Sequence, residues 1–187
     1  MGIIRLIFGK WRRKKARMFL RDGLKLTQKR RYEAAADAYG RAADADPDYA
    51  IAYLNQALAL QDLYNQRLGQ LEEPERLEIY VQIRQLLLQS LELDDSLAAG
   101  WRYLGHVCRR LGYFCQAESA FLRLTELAGE ESLHDTEIKK EMSEIAPLAE
   151  RERLVDTAVR VASEIEASEE TVTELWDAFE KIAENHE

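Results

Sequence analysis

The side chains best able to do chemistry are few in this chain. Histidine occurs only at His106, His134 and His186, and cysteine only at Cys108 and Cys115. His106, Cys108 and Cys115 form the one His/Cys cluster. Zinc sites usually hold close Cys-x-x-Cys pairs, and this spacing does not match them. Free Cys packs well as a small apolar side chain, so both cysteines read as packing residues. No Gly-rich phosphate loop and no nucleophile motif occurs. Carboxylates are abundant, but on acidic helices they read as solvated faces. No catalytic residue, no metal site and no cofactor is expected, and the chain is read as a non-enzyme.

The elements that carry these residues are helical. The chain has 187 residues, 47% of them hydrophobic and 32% charged, with only 3 Pro and 9 Gly. That is too apolar for a disordered chain and too poor in turn residues for a β-sandwich of this length. Two cysteines make no disulfide framework. The apolar run near the N-terminus is far shorter than the roughly 18 residues of a membrane span, and no signal-peptide cleavage pattern follows it. A cytoplasmic all-α protein is expected, with a peripheral contact to a membrane as a further expectation.

Charge is divided sharply along the chain. Residues 1–31 hold twelve Lys and Arg against one acid, Asp22, a net of +11. Residues 32–187 hold fourteen bases and thirty-three acids, a net of −19. Such a split suggests an anionic partner for the basic segment, or contact with the chain's own acidic body.

A repeat is visible in the aromatic and small residues. Phe19, Tyr53 and Trp101 are spaced by 34 and then 48, and Gly23, Ala57 and Gly105 follow each by four. Tyr32, Tyr80 and Phe114 show the reverse order, 48 and then 34; so do Ala35, Ile83 and Ala117, and Tyr39, Leu87 and Phe121. Together they place a 14-residue insertion between Ala57 and Tyr80. These residues resemble the tetratricopeptide repeat (TPR) family. The match is fullest in Trp101-Arg102-Tyr103-Leu104-Gly105 through Phe114, Ala117 and Phe121, and weakest in the second unit. The resemblance implies an α-solenoid of antiparallel helix pairs at residues 16–132, with repeats at about 16–49, 50–97 and 98–132. A small residue on each first helix lets the second approach, and each pair needs a neighbour to cover its apolar face.

The insertion reads as a longer helical hairpin. Gly69 offers a stop, and Pro74 beside Glu72 and Glu73 offers a start. Leu68 and Leu71 are expected to be exposed at its tip. Residues 133–187 read as an acidic helical cap, with helices at about 134–145, 148–166 and 169–185. Pro147 separates the first two, and Ser168 is an N-cap for the third.

Three candidate interaction surfaces follow. The resemblance implies a concave groove lined by Leu20, Leu24, Thr27, Ile51, Leu54, Asn55 and Leu58, then by Arg102, His106, Arg109 and Arg110. That lining suits a protein partner with an apolar or acidic peptide segment, unless the chain's own helices fill it. Some family members clamp the acidic tails of heat-shock chaperones with Lys and Asn. Here only Asn55 matches that clamp, and Leu20 and Leu24 stand at the first repeat's clamp positions, so chaperone tails are not expected. The second surface is a basic amphipathic arm, residues 1–15, with Ile3, Ile4, Ile7, Phe8 and Trp11 on one side and Arg12, Arg13, Lys14 and Lys15 beside them. Such an arm suits an anionic membrane surface. Nucleic acid ranks last, because Trp11 lies among aliphatics instead of forming a stacking platform. The third is the last stretch, with Val172, Leu175, Trp176, Phe179, Ile182 and Ala183 at helical spacing, read first as a cap. The whole suggests an adaptor or scaffold in complex assembly, tethered by its arm. The alternative is a soluble chaperone of a secretion or assembly system that shelters an apolar client segment.

Overall fold

Small residues at helix spacing decide how the helices pair. A computed structural model describes residues 2–129 and 136–164, with side chains from 9 to 129 and from 137 to 161. Among these residues there is no strand. The helices are α1 (Gly2–Gln28), α2 (Tyr32–Ala45), α3 (Ala50–Arg67), α4 (Glu73–Leu93), α5 (Ala98–Leu111), α6 (Phe114–Ala128) and α7 (Thr136–Glu164). A short 3-10 turn at Leu68–Gln70 joins α3 to α4. Six helices thus form three antiparallel pairs, with α7 laid along α6: a TPR-type α-solenoid.

The contacts explain the repeat. A Cβ built on Gly23 would lie 2.5 Å from the Tyr39 ring, and one on Gly105 would lie 2.6 Å from the Phe121 ring. Both rings are buried, so only glycine lets α1 meet α2, and α5 meet α6, at this separation. Ala57 takes the same place in the second pair and is fully buried. The main core joins Leu54, Ile83 and Leu87 to Leu104, Val107, Phe121, Ile138 and Ile145. The Ser90 hydroxyl, also buried, donates to the Ala50 carbonyl at 2.9 Å and ties α4 to the start of α3.

Helix ends carry their own signals. Glu72 and Glu75 form a capping box at the start of α4, with Pro74 in the first turn. Gly112 closes α5 in the left-handed conformation, with Tyr113 N–H bonding the Cys108 carbonyl at 2.9 Å. The end of α1 uses the same closure, with Arg31 N–H on the Leu26 carbonyl at 2.9 Å, but the left-handed residue there is Arg30, at φ 55°.

The inserted residues lengthen both helices of the second repeat. α3 has 18 residues and α4 has 21, against 14 and 15 for α5 and α6. The surplus of four and six residues is about 6 and 9 Å of helix. Of the two leucines expected to be exposed at the tip, Leu68 is (43%), but Leu71 is half-buried against the core. Arg76 makes the difference: its guanidinium donates to the carbonyls of Leu71 at 3.0 Å and Leu68 at 3.3 Å, which folds the tip inward.

Pro147 does not divide two helices. α7 runs unbroken from Thr136 to Glu164. Proline removes one helical hydrogen bond and crowds the carbonyl four residues back. Pro147 is on the exposed side, where water can meet that carbonyl, while Ile138 and Ile145 before it and Ala149 and Ala158 after it are buried. Packing on both sides outweighs the local cost. The stretch at 169–185, with Ser168, lies outside the described residues.

Candidate interaction surfaces

The basic segment is one helix with the first repeat. The boundary expected after residue 15 falls inside α1, whose buried side carries Ala16, Phe19 and Gly23. Arg12 and Arg13 are not on a free arm. Arg12 Nε donates to the Ala45 carbonyl at 3.4 Å, and Arg13 pairs with the buried Asp46 carboxylate while lying 4.9 Å over the Tyr49 ring. Both therefore close the C-terminal end of α2, where the helix dipole favours cations. These contacts engage both side chains with the first repeat.

Beyond Arg12, residues 2–11 run past the end of α2 for about 15 Å. Helical phase is continuous along α1, so positions 4, 11, 18 and 25, seven apart, share one face. Trp11 (59% exposed) and Met18 (53%) mark that face, which lies about 120° around the helix from the buried stripe. Lys10, Lys14, Arg17, Arg21 and Lys25 are exposed around it. Lys15 lies 5.2 Å over the Trp11 ring, and Lys25 sits 3.8 Å from Asp22. The side chains of Ile3, Ile4, Ile7 and Phe8 lie outside the described residues, although the backbone there is helical.

The groove residues differ in exposure and in the partners they already hold. Leu54 belongs to the core, and Leu20, Ile51 and Leu58 are half-buried. Leu24 is 46% exposed and is the most open apolar position of the set. The Asn55 amide donates to the Ile51 carbonyl on its own helix at 2.9 Å. The Thr27 hydroxyl bonds the Tyr39 hydroxyl at 3.1 Å and the Gly23 carbonyl at 3.2 Å. In the third repeat, α7 meets part of the basic cluster. Arg109 lies 3.3 Å from Glu141 and 2.6 Å from Glu144, and His106 Nδ1 lies 3.1 Å from Glu141. Arg110 is exposed, and Arg102 is half-buried with partners of its own. An acidic peptide would have to compete with Glu141 and Glu144 for this cluster.

Those two glutamates were not singled out from the sequence. Their spacing of three on the same helix as Ile138 and Ile145 was the available signal. The buried Tyr64–Tyr80 pair, with ring centres 4.7 Å apart, packs α3 against α4. Burial, with Tyr64 alongside, pushes the Tyr80 hydroxyl up to about 12. Burial likewise raises the Asp62 carboxyl.

The cysteines are packing residues in this arrangement. Burial is the main cause that raises both thiols, which keeps them protonated. Cys115 Sγ lies 3.2 Å from the Ala149 carbonyl, and its backbone N–H donates to Glu152 at 2.7 Å. Glu152 on α7 thereby caps α6, a job usually done by a residue next to the helix. Among the described residues, no group of three or more His, Cys, Asp or Glu could hold a metal ion. Among them, too, no helix is long and apolar enough to cross a membrane. His134 and His186 lie outside the described residues.

No protein-family model matches the sequence, and no curated protein aligns with it significantly. Solved structures do match. The first TPR domain of Spaghetti (RPAP3) bound to an HSP90 peptide is 21% identical, with a TM-score of 0.55, over 72% of this chain and 94% of that one. The TPR domain of Arabidopsis OM64 is 14% identical, with a TM-score of 0.57, over 72% and 96%. The TPR2B domain of yeast Sti1, in a complex with Hsp70, is 15% identical, with a TM-score of 0.56, over 71% and 97%. These likenesses show a TPR-type fold for about seven-tenths of the chain.

Proposed function

We propose that this TPR-type solenoid is a non-enzymatic adaptor for protein assembly, held at an anionic membrane surface by α1. The observation that carries the reading is the outward face of α1, where Trp11 and Met18 stand exposed among Lys10, Lys14, Arg17 and Arg21 on a helix that outruns its partner. A basic amphipathic helix of this kind lies in a headgroup layer with its apolar side down. The exposure of Trp11 and Met18 supports it, because that side of α1 is not covered by the body.

The groove then holds a protein partner. The similar Spaghetti and Sti1 domains are solved with HSP90 and Hsp70 partners, but this chain offers little for such acidic tails. Leu20 and Leu24 replace the first repeat's clamp residues, the Asn55 amide is engaged with its own helix, and Glu141 and Glu144 surround Arg109. An apolar segment seated near Leu24, Ile51 and Leu58 suits the wall better. That apolar wall is also what favours the second reading, a soluble chaperone that shelters a client segment.

Flotation with vesicles separates the two. The adaptor should rise with phosphatidylserine-containing vesicles and stay down with pure phosphatidylcholine. Replacing Trp11 and Met18 by Asp should abolish flotation and leave the helical circular dichroism signal intact. A protein that stays down with both vesicle types is the soluble chaperone, and the tether reading fails.

A further inference from the structure

The outward face of α1 has a candidate occupant in the same chain. Residues 165–187, outside the described structure, contain eight acids and one Lys, a net charge of −7 over 23 residues. Val172, Leu175, Trp176, Phe179 and Ile182 give this acidic segment an apolar side at helical spacing. On α1, exposed Trp11 and Met18 lie among Lys10, Lys14, Arg17, Arg21 and Lys25, with Asp22 the one acid. Lys10, Lys14, Arg17 and Arg21 pair with no carboxylate among the described residues. The two surfaces match in charge and in apolar content.

The fold brings them within reach. α7 runs antiparallel to α6, with Glu152 at the start of α6, so its last turns pass the edge of the stack that carries the 112–113 turn. Lys25 and the end of α1 lie on that same edge. Going from α1 through α3 and α5 to α7 crosses three inter-helix spacings, which at 8–10 Å each is roughly 24–30 Å. An extended chain of 23 residues spans up to about 76 Å.

We propose that the acidic segment 165–187 docks on the outward face of α1 and competes there with the membrane. This rests on the membrane reading for its consequence, though not for the contact itself. Docking hides Trp11 and the basic residues, so vesicle binding is weakened by the fraction of molecules in the closed form.

The test uses the full chain. Zero-length carbodiimide cross-linking of dilute protein at low salt should join lysines of α1 to carboxylates within 166–184, in the monomer band. Those links should vanish at 0.5 M salt, roughly where the screening length falls to a few Å. The variant E169Q/E170Q/E174Q/E180Q should lose the links and bind phosphatidylserine vesicles about tenfold more tightly if nine-tenths of molecules are closed. Absence of these links in the parent overturns the docking whatever the vesicles show. Links with no gain in vesicle binding by a membrane-competent variant overturn the competition. Links with no vesicle binding by either protein leave the docking standing and refute the membrane reading instead.

Discussion

The closest helix contacts give the sharpest test of the fold. Gly105→Ala places a methyl 2.6 Å from two atoms of the Phe121 ring and 2.8 Å from a third. Ordinary carbon contacts begin near 3.5 Å, so ring and helix must part by about 1 Å. Phe121 has no open side: it is fully buried, and the His106 ring meets it edge-on at 5.3 Å. Overpacking of this kind costs about 1–3 kcal/mol. The exchange of Gly for Ala inside a helix returns roughly 0.5–1 kcal/mol. Taking the middle of each range, a net loss of about 1 kcal/mol is expected, which for a chain of this size is a fall in Tm of roughly 2–4 °C. Gly69→Ala is the control, since nothing lies within 4 Å of its Cβ position. Urea and thermal unfolding by circular dichroism measure both. A double-mutant cycle with Phe121→Leu completes the test, because the smaller side chain relieves the clash and the two losses should not add. Additivity within about 0.5 kcal/mol, or a Gly105→Ala protein as stable as its parent, would refute the argument from close approach.

Arg30→Gly should stabilise the protein by up to about 1 kcal/mol, because a side chain in the left-handed region is strained and glycine is not; an unchanged urea midpoint would count against it. Arg13→Ala should cost about 1–3 kcal/mol, since it strands the buried Asp46 carboxylate, whereas deletion of residues 2–11 should leave Tm nearly unchanged. The reverse pattern in thermal melts would place the supporting contacts in the wrong part of α1. Tyr80 ionises near 10 when unfolded and about 12 when folded, so the folded state is the one that keeps the proton. The contribution of Tyr80 should be constant below pH 10 and be lost as pH rises from 10 to 12, so Tyr80→Phe should fall less steeply over that window in urea titrations.

Much of the solenoid was legible because its signals are local or periodic. Gly23, Ala57 and Gly105, each four residues after an aromatic, mark the close contacts directly, and Pro74 with its acidic neighbours marks the start of α4. Pro147 was misleading because its effect depends on which side of the helix it occupies, and that side is set by packing against the third repeat. The division of the basic segment at residue 15 failed for a related reason. Charge changes gradually along residues 1–31, whereas the chain's attachment to α2 is made by Arg12 and Arg13, thirty-three residues from their partners Ala45 and Asp46. Contacts across such separations leave no spacing to read. The same holds for Arg109 with Glu141 and Glu144, which turns part of an expected binding cluster into an internal junction.

The alternation of helix directions fixes which way the molecule faces. The projecting end of α1 leaves the stack at the edge that carries the turns near Asp46 and Asp94. The lengthened hairpin leaves at the opposite edge, where Arg67 reaches Glu33 at 2.9 Å. From Arg12 to Gln28 the helix rises about 24 Å, and the surplus turns of α3 and α4 add 6–9 Å more. Leu68 therefore lies roughly 30 Å along the helix direction from Arg12, several screening lengths at physiological salt. The hairpin tip would meet its surroundings beyond the electrostatic reach of whatever anchors the other end, so the two ends could engage unlike partners without interfering.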